Sequence, residues 1–399
     1  MTTVQAVSPV SAASREELVG RAAKLVPLLR KHAAWTEENR RLHDETIAAM
    51  ADAGIFKMRV PARYGGYESD TRTVVEVATE LGRGDGSAAW CASVWWIPAW
   101  IVGMFPDEVQ DEIHATPDVR VCGTLSPSGV ATPADGGFVV TGRWGFISGA
   151  LHSHWQLIIA MAPTPGGDPA PVMGLVPMTD LRIVDDWHTS GLRGSGSVTT
   201  IAENVFVPRE RVLPMGAVMG GESASVLNAD IAMYRVPQMA VASACSVGNI
   251  VGMAKAAREC FFERLPGRKI TYTAYASQRE APITHLQVAE ATLKIDEAQF
   301  HARRIADLVD AKAATGEPWT MEEHALPMGS TGAVCQRAKD AIDVLNSASG
   351  GSSIYTSVPI QRITRDIHAL TQHALLTPHV VFETYGRLLC GLPPDSLFG

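Results

Sequence analysis

The chain is organised around the stretch Trp187-His-Thr-Ser-Gly-Leu-Arg-Gly-Ser-Gly-Ser197. The last eight residues of this stretch hold three glycines and three serines, a composition that predicts a loop and not part of a core. Glycine allows close backbone approach, the serines offer hydrogen-bond donors, and Arg193 adds a positive charge. A β-branched run at 198–208 follows and predicts a strand. The loop suits an anionic or heteroaromatic ligand, although an ordinary surface turn has the same composition.

Composition and charge indicate an ordinary globular protein of 399 residues, with 46% hydrophobic and 19% charged residues. The net charge is −8 and no basic block occurs, so nucleic acid is not an expected partner. Six scattered cysteines without a CxxC pair indicate reduced thiols in a cytoplasmic protein. Residues 1–13 lack the basic start and apolar run of a signal peptide.

One segment, residues 88–105, is nearly all apolar and about long enough to span a bilayer. Pro98 lies inside it, and its tryptophans do not mark two membrane interfaces but crowd its middle and end. We therefore expect a helix buried on all sides within the protein, and no membrane partner.

Hydrophobic periodicity divides the chain into three parts, at residues 1–117, 118–215 and 216–399. The first part predicts helices, with capping boxes at Ser14-Arg-Glu-Glu17 and Thr73-Val-Val-Glu76, and with Asp44 as the cap of a second helix. The second part predicts a β-domain with a hairpin turn at Asp135-Gly-Gly137 and further strands at 155–161, 172–176, 181–184 and 198–207. The third part predicts a four-helix bundle from alanine-rich runs at 239–263, 284–314, 322–346 and 360–390.

This order of parts resembles the acyl-CoA dehydrogenase fold, which is mainly α with a central β-barrel or sandwich domain between a helical domain and a four-helix bundle. The stretches that carry the resemblance are Val60-Pro-Ala-Arg-Tyr-Gly-Gly66, Asn204-Val-Phe-Val-Pro208 and Arg362-Ile-Thr-Arg-Asp366. Within that fold, three stretches are most similar to the two-component flavin monooxygenases that hydroxylate phenols. They are Gly86-Ser-Ala-Ala-Trp90, Gly142-Arg-Trp-Gly-Phe-Ile-Ser-Gly149 and residues 187–197.

The resemblance implies an enzyme that takes reduced FMN or FADH2 from a separate NAD(P)H flavin reductase. In such an enzyme, the bound reduced flavin reacts with O2 to form a C4a-hydroperoxide, which hydroxylates an aromatic substrate. A reduced flavin of this kind must be shielded from water while its N5 atom keeps its proton. The resemblance implies that Ser148 is the residue that hydrogen-bonds N5. Trp144 and Phe146 are either platform residues for the flavin or core. The further predicted flavin contacts are Ser126, Ser128, Arg193, Gly194, Ser195 and Ser197.

The flavin phosphate requires cations or N–H groups. Arg268 and Arg279 are the candidate cations, and Gly350-Gly-Ser-Ser353 is the candidate backbone segment. Members of this fold often supply such residues from a neighbouring subunit, so the resemblance also implies a homotetramer.

On the substrate side, the resemblance places the catalytic histidine at His373, where a base near the phenol oxygen would favour the phenolate. His368 precedes it by five residues on what we predict to be the same last helix, so the two histidines should not share a face. The expected substrate pocket consists of Trp90, Trp95, Trp96 and Ile97. The resemblance implies a histidine where this chain has Ile97-Pro98, and this departure makes a polycyclic or indole-like substrate an alternative to a simple phenol.

Three other functions remain open at this point. An acyl-CoA dehydrogenase needs a carboxylate base, whereas this chain has Thr371-Gln-His373 in the corresponding place and Glu383 about ten residues later. An amine N-oxygenase and a non-catalytic flavin-binding protein are the other two. No metal is expected, because His152-Ser-His154 has no further ligand at suitable spacing.

Overall fold

The structure is a computed structural model that describes residues 13–164 and 166–393. It has the predicted mainly α architecture, with a central sheet between two helical parts. The predicted boundary at 117/118 falls between the last helix of the first part and the first strand. The boundary at 215/216 falls inside a short helix, Met215–Met219.

The helices of the N-terminal part are α1 (Arg15–Asn39), α2 (Asp44–Asp52), α3 (Thr71–Gly84), α4 (Gly86–Val102) and α5 (Asp107–His114). Ser14 caps α1 as predicted, by accepting the N–H of Glu17. Two predicted caps are wrong by a few residues. His43 caps α2 through its ring nitrogen, and Asp70 caps α3 through a carboxylate that accepts the N–H of Thr73.

Helix α4 is the buried helix that the apolar segment predicts. Asp85 caps it by accepting the N–H of Ala88 at 2.8 Å. The fully buried side chains of Trp96 and Trp100 direct their indole N–H groups to the backbone carbonyls of Ile55 and Met233. These tryptophans therefore join α4 to both helical parts of the protein.

The β-domain consists of β1 (Val121–Ala134), β2 (Gly137–Ile147), β3 (Trp155–Ala162), β4 (Ala170–Pro177), β5 (Arg182–Val184), β6 (Val198–Pro208) and β7 (Val212–Pro214). They form one mixed sheet in the order β5-β6-β2-β1-β3-β4-β7, in which β1 and β3 are parallel. A Cβ on Gly174 of β4 would lie 3.9 Å from Val207 of β6, although three strands separate β4 from β6 in this order. The sheet therefore curls into an open barrel.

The C-terminal part begins with the short helix α6 (Met215–Met219), followed by α7 (Gln238–Arg264), α8 (Pro282–Thr315), α9 (Met321–Ala348), α10 (Pro359–Leu370) and α11 (Pro378–Leu389). The prediction of one helix over 360–390 is wrong. Pro378 begins α11, and Thr377 before it has the extended backbone that proline favours, so no helix runs through this point. Helix α10 ends at Leu370, and a turn at 371–377 separates the two helices. His373 lies in this turn and not on a helix.

The two helical parts share one core. Segment 223–228 returns to the N-terminal part, where the N–H of Ala224 donates to the Met104 carbonyl and the Ser225 hydroxyl bonds Asp107. Among the described residues one helix, α7, is long and apolar enough to cross a membrane, but 83% of its most apolar window is buried inside the protein. Such burial is typical of a core helix.

Candidate active site

Ser148 occupies the place where β2 breaks away from β6. The pairing of the two strands shifts register between Trp144 and Ile147, and Phe146 has the left-handed φ of 60°. The N–H of Ser148 then bonds the Phe146 carbonyl at 2.9 Å. Bulges of this kind re-aim a side chain, and here the hydroxyl of Ser148 turns inward towards α4.

A chain of buried hydrogen bonds runs through this hydroxyl. The indole N–H of Trp90 lies 3.0 Å from Ser148 Oγ, which is 2.7 Å from Ser197 Oγ. Ser197 Oγ is in turn 2.7 Å from Ser195 Oγ, and the Ser195 hydroxyl donates to the Leu192 carbonyl at 2.7 Å. We refer to Ser148, Ser197 and Ser195 as the serine chain. It joins helix α4 to the glycine-rich loop at residues 187–197.

That loop, residues 187–197, is packed against helices and is not an exposed turn. A Cβ on Gly191 would lie 2.1 Å from the Arg365 carbonyl oxygen of α10, and one on Gly194 would lie 2.1 Å from Thr36 of α1. No side chain fits in either place. The glycines of this loop therefore allow its backbone to pack closely against helices α1 and α10 of the same chain, and not against a ligand.

Asp366 of α10 anchors the loop by a hydrogen bond to Leu192. Leu192 has a left-handed φ of 49°, and its N–H donates to the Asp366 carboxylate at 2.7 Å. Burial, together with the neighbouring carboxylate of Asp85, raises the pKa of Asp366 to about 7. The indole N–H of Trp187 donates to the Leu192 carbonyl at 3.0 Å, so both backbone polar groups of Leu192 are hydrogen-bonded.

His373 meets the serine chain through Trp90. The two rings lie edge to face with centroids 5.3 Å apart. The His373 side chain is open to solvent on one side, yet protein surrounds the imidazole closely enough that desolvation lowers its pKa to about 4. The backbone N–H of Leu375 donates to Nδ1 at 3.2 Å, so the neutral ring carries its proton on Nε2. His368 instead pairs with Asp343 on the surface.

The predicted aromatic residues fall into two groups. Trp90 contacts both Ser148 and His373, and Phe146 is exposed beside Trp187 with ring centroids 5.8 Å apart. Trp95 and Trp144 are buried, with their N–H groups bonded to Ser153 and to the Ile159 carbonyl. Trp96, described above with α4, is also core, whereas Ile97 is half-buried. For Trp144 and Trp96 the structure gives a packing role, because their rings have no accessible face to offer a ligand.

The remaining predicted flavin contacts are more dispersed. Ser126 and Ser128 are exposed on β1, with their hydroxyls 2.9 Å apart. Arg193 is half-buried, and its Nε has no hydrogen-bond partner within the described part of the chain. Arg268 bonds the Ser349 carbonyl beside Gly350, so it joins the predicted phosphate segment in the bundle. The other candidate cation, Arg279, is exposed.

Family models match both helical parts of the chain. The acyl-CoA dehydrogenase N-terminal domain matches residues 19–112, and the acyl-CoA dehydrogenase C-terminal domain matches residues 244–378. The FADH2-dependent resorcinol hydroxylase oxygenase component of Rhizobium sp. (strain MTP-10005) is 31% identical over 404 residues, 98% of each chain. The chain belongs to the flavin-dependent monooxygenase oxygenase components.

Other members agree along nearly the whole length. The flavin-dependent monooxygenase oxygenase subunit HsaA of Rhodococcus jostii (strain RHA1) is 30% identical, over 92% of this chain and 97% of its own. The solved structure of XiaF from Streptomyces sp., in complex with FADH2 and glycerol, superimposes with a TM-score of 0.90. It is 30% identical over 96% of this chain and 97% of its own. The fold and the enzyme class predicted from the sequence are thereby confirmed.

Sequence reasoning missed the part that Asp366 plays in this flavin monooxygenase. Its position in Arg362-Ile-Thr-Arg-Asp366 supported the resemblance, but nothing in that motif shows that the carboxylate reaches Leu192, 174 residues earlier in the chain. The hydrogen bond from the Trp90 indole to Ser148 was also missed, because no motif shows that these two residues meet. A buried carboxylate and a glycine-rich loop are each visible in a sequence, whereas the contact between them depends on the packing of α10 against the loop.

Proposed function

We propose that this chain is the oxygenase component of a two-component system that hydroxylates an aromatic substrate with reduced flavin from a separate NAD(P)H-dependent reductase. The observation that carries the proposal is the series of contacts from His373 at the surface through Trp90 to the buried Ser148, in a chain of this family. It brings the predicted substrate-side and flavin-side residues together, although they are 225 positions apart in the sequence.

The residues present fit a flavin at this place. Ser148 offers a hydroxyl at the end of β2, Ser126 and Ser128 offer exposed hydroxyls, and Arg193 offers a buried Nε without a partner among the described residues. An orphaned cationic donor of this kind favours an anionic or carbonyl-bearing ligand. Reduced FMN and FADH2 both fit this set, and the two relatives whose names specify FADH2 favour the dinucleotide.

The bound reduced flavin supplies the activation of O2 for electrophilic attack on the substrate ring. The Ser148 hydroxyl would hydrogen-bond the flavin ring at N5. Trp90 fixes Ser148 by donating its indole N–H and covers the same region with its ring, which excludes water. The exposed Phe146 and the half-buried Trp187 lie beside the end of β2, directly before Ser148.

His373 acts on the substrate oxygen as a hydrogen-bond donor in this proposal, and not as the general base that the sequence led us to expect. The backbone N–H of Leu375 donates to Nδ1 of His373, so the neutral ring carries its proton on Nε2 and can donate from there. A histidine whose pKa is lowered to about 4 is also a weak base for a phenol, whose pKa is near 10 by analogy with tyrosine. An Nε2–H that donates to the oxygen favours the phenolate, which is the more reactive nucleophile.

The assembly and the location of the protein are further parts of the proposal. Leu286, Leu293 and Phe300 are exposed on α8 at seven-residue spacing, which places them along one helix face. We infer that this face packs against other copies of the chain in a homotetramer, and that Arg268 or Arg279 contacts the flavin phosphate of a neighbouring subunit. We expect the enzyme to be cytoplasmic.

Two alternatives are less well supported. Acyl-CoA dehydrogenation needs a free carboxylate base, and the turn at 371–377 contains none, while Glu383 is exposed on α11. Amine N-oxygenation needs no phenolate, so it predicts that His373 has little effect. The edge-to-face contact of His373 with Trp90 favours an aromatic substrate over an amino sugar.

The test is reconstitution with an NAD(P)H flavin reductase, FMN or FAD, and a panel of phenols, indoles and aromatic amines. The protein as purified should be nearly colourless, and product should form only when the reductase, flavin and O2 are all present. A tightly bound yellow flavin that is bleached by an acyl-CoA in the absence of reductase would overturn the proposal.

A further inference from the structure

The serine chain has a direction that its end groups impose. A tryptophan indole N–H can only donate a hydrogen bond, and a backbone carbonyl can only accept one. Trp90 stands at one end of the chain and the Leu192 carbonyl at the other. Each serine hydroxyl between them has one proton to give and two lone pairs to offer.

The protons can be assigned one after another from the carbonyl end. Ser195 donates to the Leu192 carbonyl, so in the contact between Ser195 and Ser197 the donor is Ser197. Ser197 has then given its only proton, so in its contact with Ser148 the donor is Ser148. Ser148 has given its proton to Ser197 and has used one lone pair for Trp90. What remains on Ser148 Oγ is one lone pair.

The surroundings keep this order in place. Ser148, Ser195 and Ser197 are all buried, so water does not compete freely for their protons. The Ser195 carbonyl accepts the N–H of Gly149 at 2.9 Å, which ties the loop to the residue after Ser148. Asp366 and Trp187 hold the N–H and the carbonyl of Leu192, so the final acceptor cannot turn away.

We propose that Ser197 and Ser195 are positioning residues that keep Ser148 a hydrogen-bond acceptor and thereby make the site select reduced over oxidised flavin. This inference rests on the proposed function, in which Ser148 faces flavin N5. The N5 atom of a reduced flavin carries a hydrogen and donates, whereas the N5 atom of an oxidised flavin has only a lone pair and accepts. An acceptor-only Ser148 satisfies the first and opposes the second.

The selection has a use in a two-component enzyme. Reduced flavin arrives from another protein and oxidised flavin must leave after each turnover, so an oxygenase that held the oxidised form would be inhibited by its own spent cofactor. The serine chain provides the difference in affinity without a charged group, because it fixes only the direction of one hydroxyl.

The test compares dissociation constants of oxidised and reduced FMN and FAD, the latter measured anaerobically, in the parent protein and in Ser197→Ala. The variant removes the acceptor of the Ser148 proton, which becomes free to donate to the oxidised N5. The preference for reduced flavin, expressed as the ratio of the two dissociation constants, should fall about tenfold, the effect of one hydrogen bond. Ser197→Thr, which retains a hydroxyl, should restore the preference.

Two further variants decide whether Ser197 acts through Ser148. In a Ser148→Ala background, Ser197→Ala should change the ratio no further, because the residue on which it acts is gone. Ser246→Ala removes a buried hydroxyl that bonds the Ala242 carbonyl within α7, and it should leave the ratio unchanged. Melting temperatures of the flavin-free proteins verify that each variant is folded.

The outcomes separate the inference from the proposed function. A folded parent protein that binds neither flavin, or that prefers the oxidised form, would overturn both. A parent that prefers reduced flavin while Ser197→Ala keeps the full preference would overturn the inference alone. An additional loss of preference in the double variant would also overturn it, since Ser197 would then contact the flavin itself.

Discussion

At the scale of single residues, the hydrogen bond from Leu375 to His373 Nδ1 decides what the imidazole presents to a substrate. It leaves Nε2–H as the outward group of the neutral ring. The lowered pKa, about 4, keeps the ring neutral down to about pH 5, so activity should not decline near pH 6.5, where an ordinary histidine becomes protonated.

The variants His373→Gln and His373→Ala test whether His373 acts as a hydrogen-bond donor or as a general base. The glutamine amide donates from about the position of Nε2 but is not basic, so we expect the rate of oxygen transfer to stay within severalfold of the parent. Alanine removes the donor and should lower the rate by roughly 10- to 100-fold, the effect of one hydrogen bond to a charged oxygen. Single-turnover product formation with saturating reduced flavin measures both.

The control is His368→Ala, which removes the surface pair with Asp343 and should leave oxygen transfer unchanged. Equal losses of about 10²–10⁴-fold in the glutamine and alanine variants would show that His373 is a general base after all. A full rate in the alanine variant would favour the amine- or indole-oxidising alternatives.

Among single residues, Ser148 and His373 were site candidates because short motifs surround them, and both contact Trp90. The direction of the serine chain could not be predicted, because it depends on which partner stands at each end. The tautomer of His373 was equally hidden, since it is set by a backbone N–H two residues later.

At the scale of elements, helix α10 connects the bundle to the glycine-rich loop through a buried carboxyl group. Asp366 has an ordinary pKa of 3.8 and a folded-state pKa of about 7, raised by burial and by Asp85. Between these values the folded protein binds more protons than the unfolded chain. The contribution of Asp366 to stability is therefore full below pH 3.8 and is lost as the pH rises towards 7.

Asp366→Asn should remove this pH dependence while its amide oxygen still accepts the N–H of Leu192. We expect the free energy of unfolding to fall less between pH 4.5 and 7.5 in the variant than in the parent. Urea unfolding at the two pH values measures the difference. Asp168→Asn, in the exposed loop between β3 and β4, is the matched control and should behave as the parent. An unchanged fall in Asp366→Asn would show that this carboxyl group does not cause the pH dependence of stability.

The elements themselves were mostly predictable. Period and turn signals located the long helices and most strands, because each buries a face of its own. The break in the last helix was missed, and so was the strand β7, which has only three residues. The turn at 371–377 contains no glycine to mark the break, and Pro378 was the local signal that should have indicated it. That error placed His373 on a helix and gave it the wrong orientation relative to His368.

At the scale of the whole molecule, the exposed face of α8 predicts assembly. Leu286, Leu293 and Phe300 have exposed fractions of 72%, 62% and 62%. An interface of several thousand Å² is typical of obligate oligomers. We expect light scattering at micromolar concentration to give a tetramer for the parent and a smaller species for Leu293→Glu. Phe206→Glu, an exposed aromatic residue on β6, is the matched control and should remain tetrameric. A monomeric parent would contradict the predicted assembly.

The order of three parts was enough to predict the whole-molecule fold, since few folds combine these layers in this order. The position of the serine chain between the sheet and both helical parts was not predictable, because it requires the curl of the sheet and the packing of α4 and α10 together.

Rapid mixing of the protein and reduced FMN or FAD with O2, in the absence of substrate, tests most directly whether this chain protects a reduced flavin as a monooxygenase must. A shielded site with Ser148 at N5 should delay the appearance of oxidised-flavin absorbance well beyond that of free reduced flavin, and Ser148→Ala should shorten the delay. Oxidation at the rate of free flavin, in a protein shown to bind reduced flavin, would contradict the claim that this chain is a flavin monooxygenase.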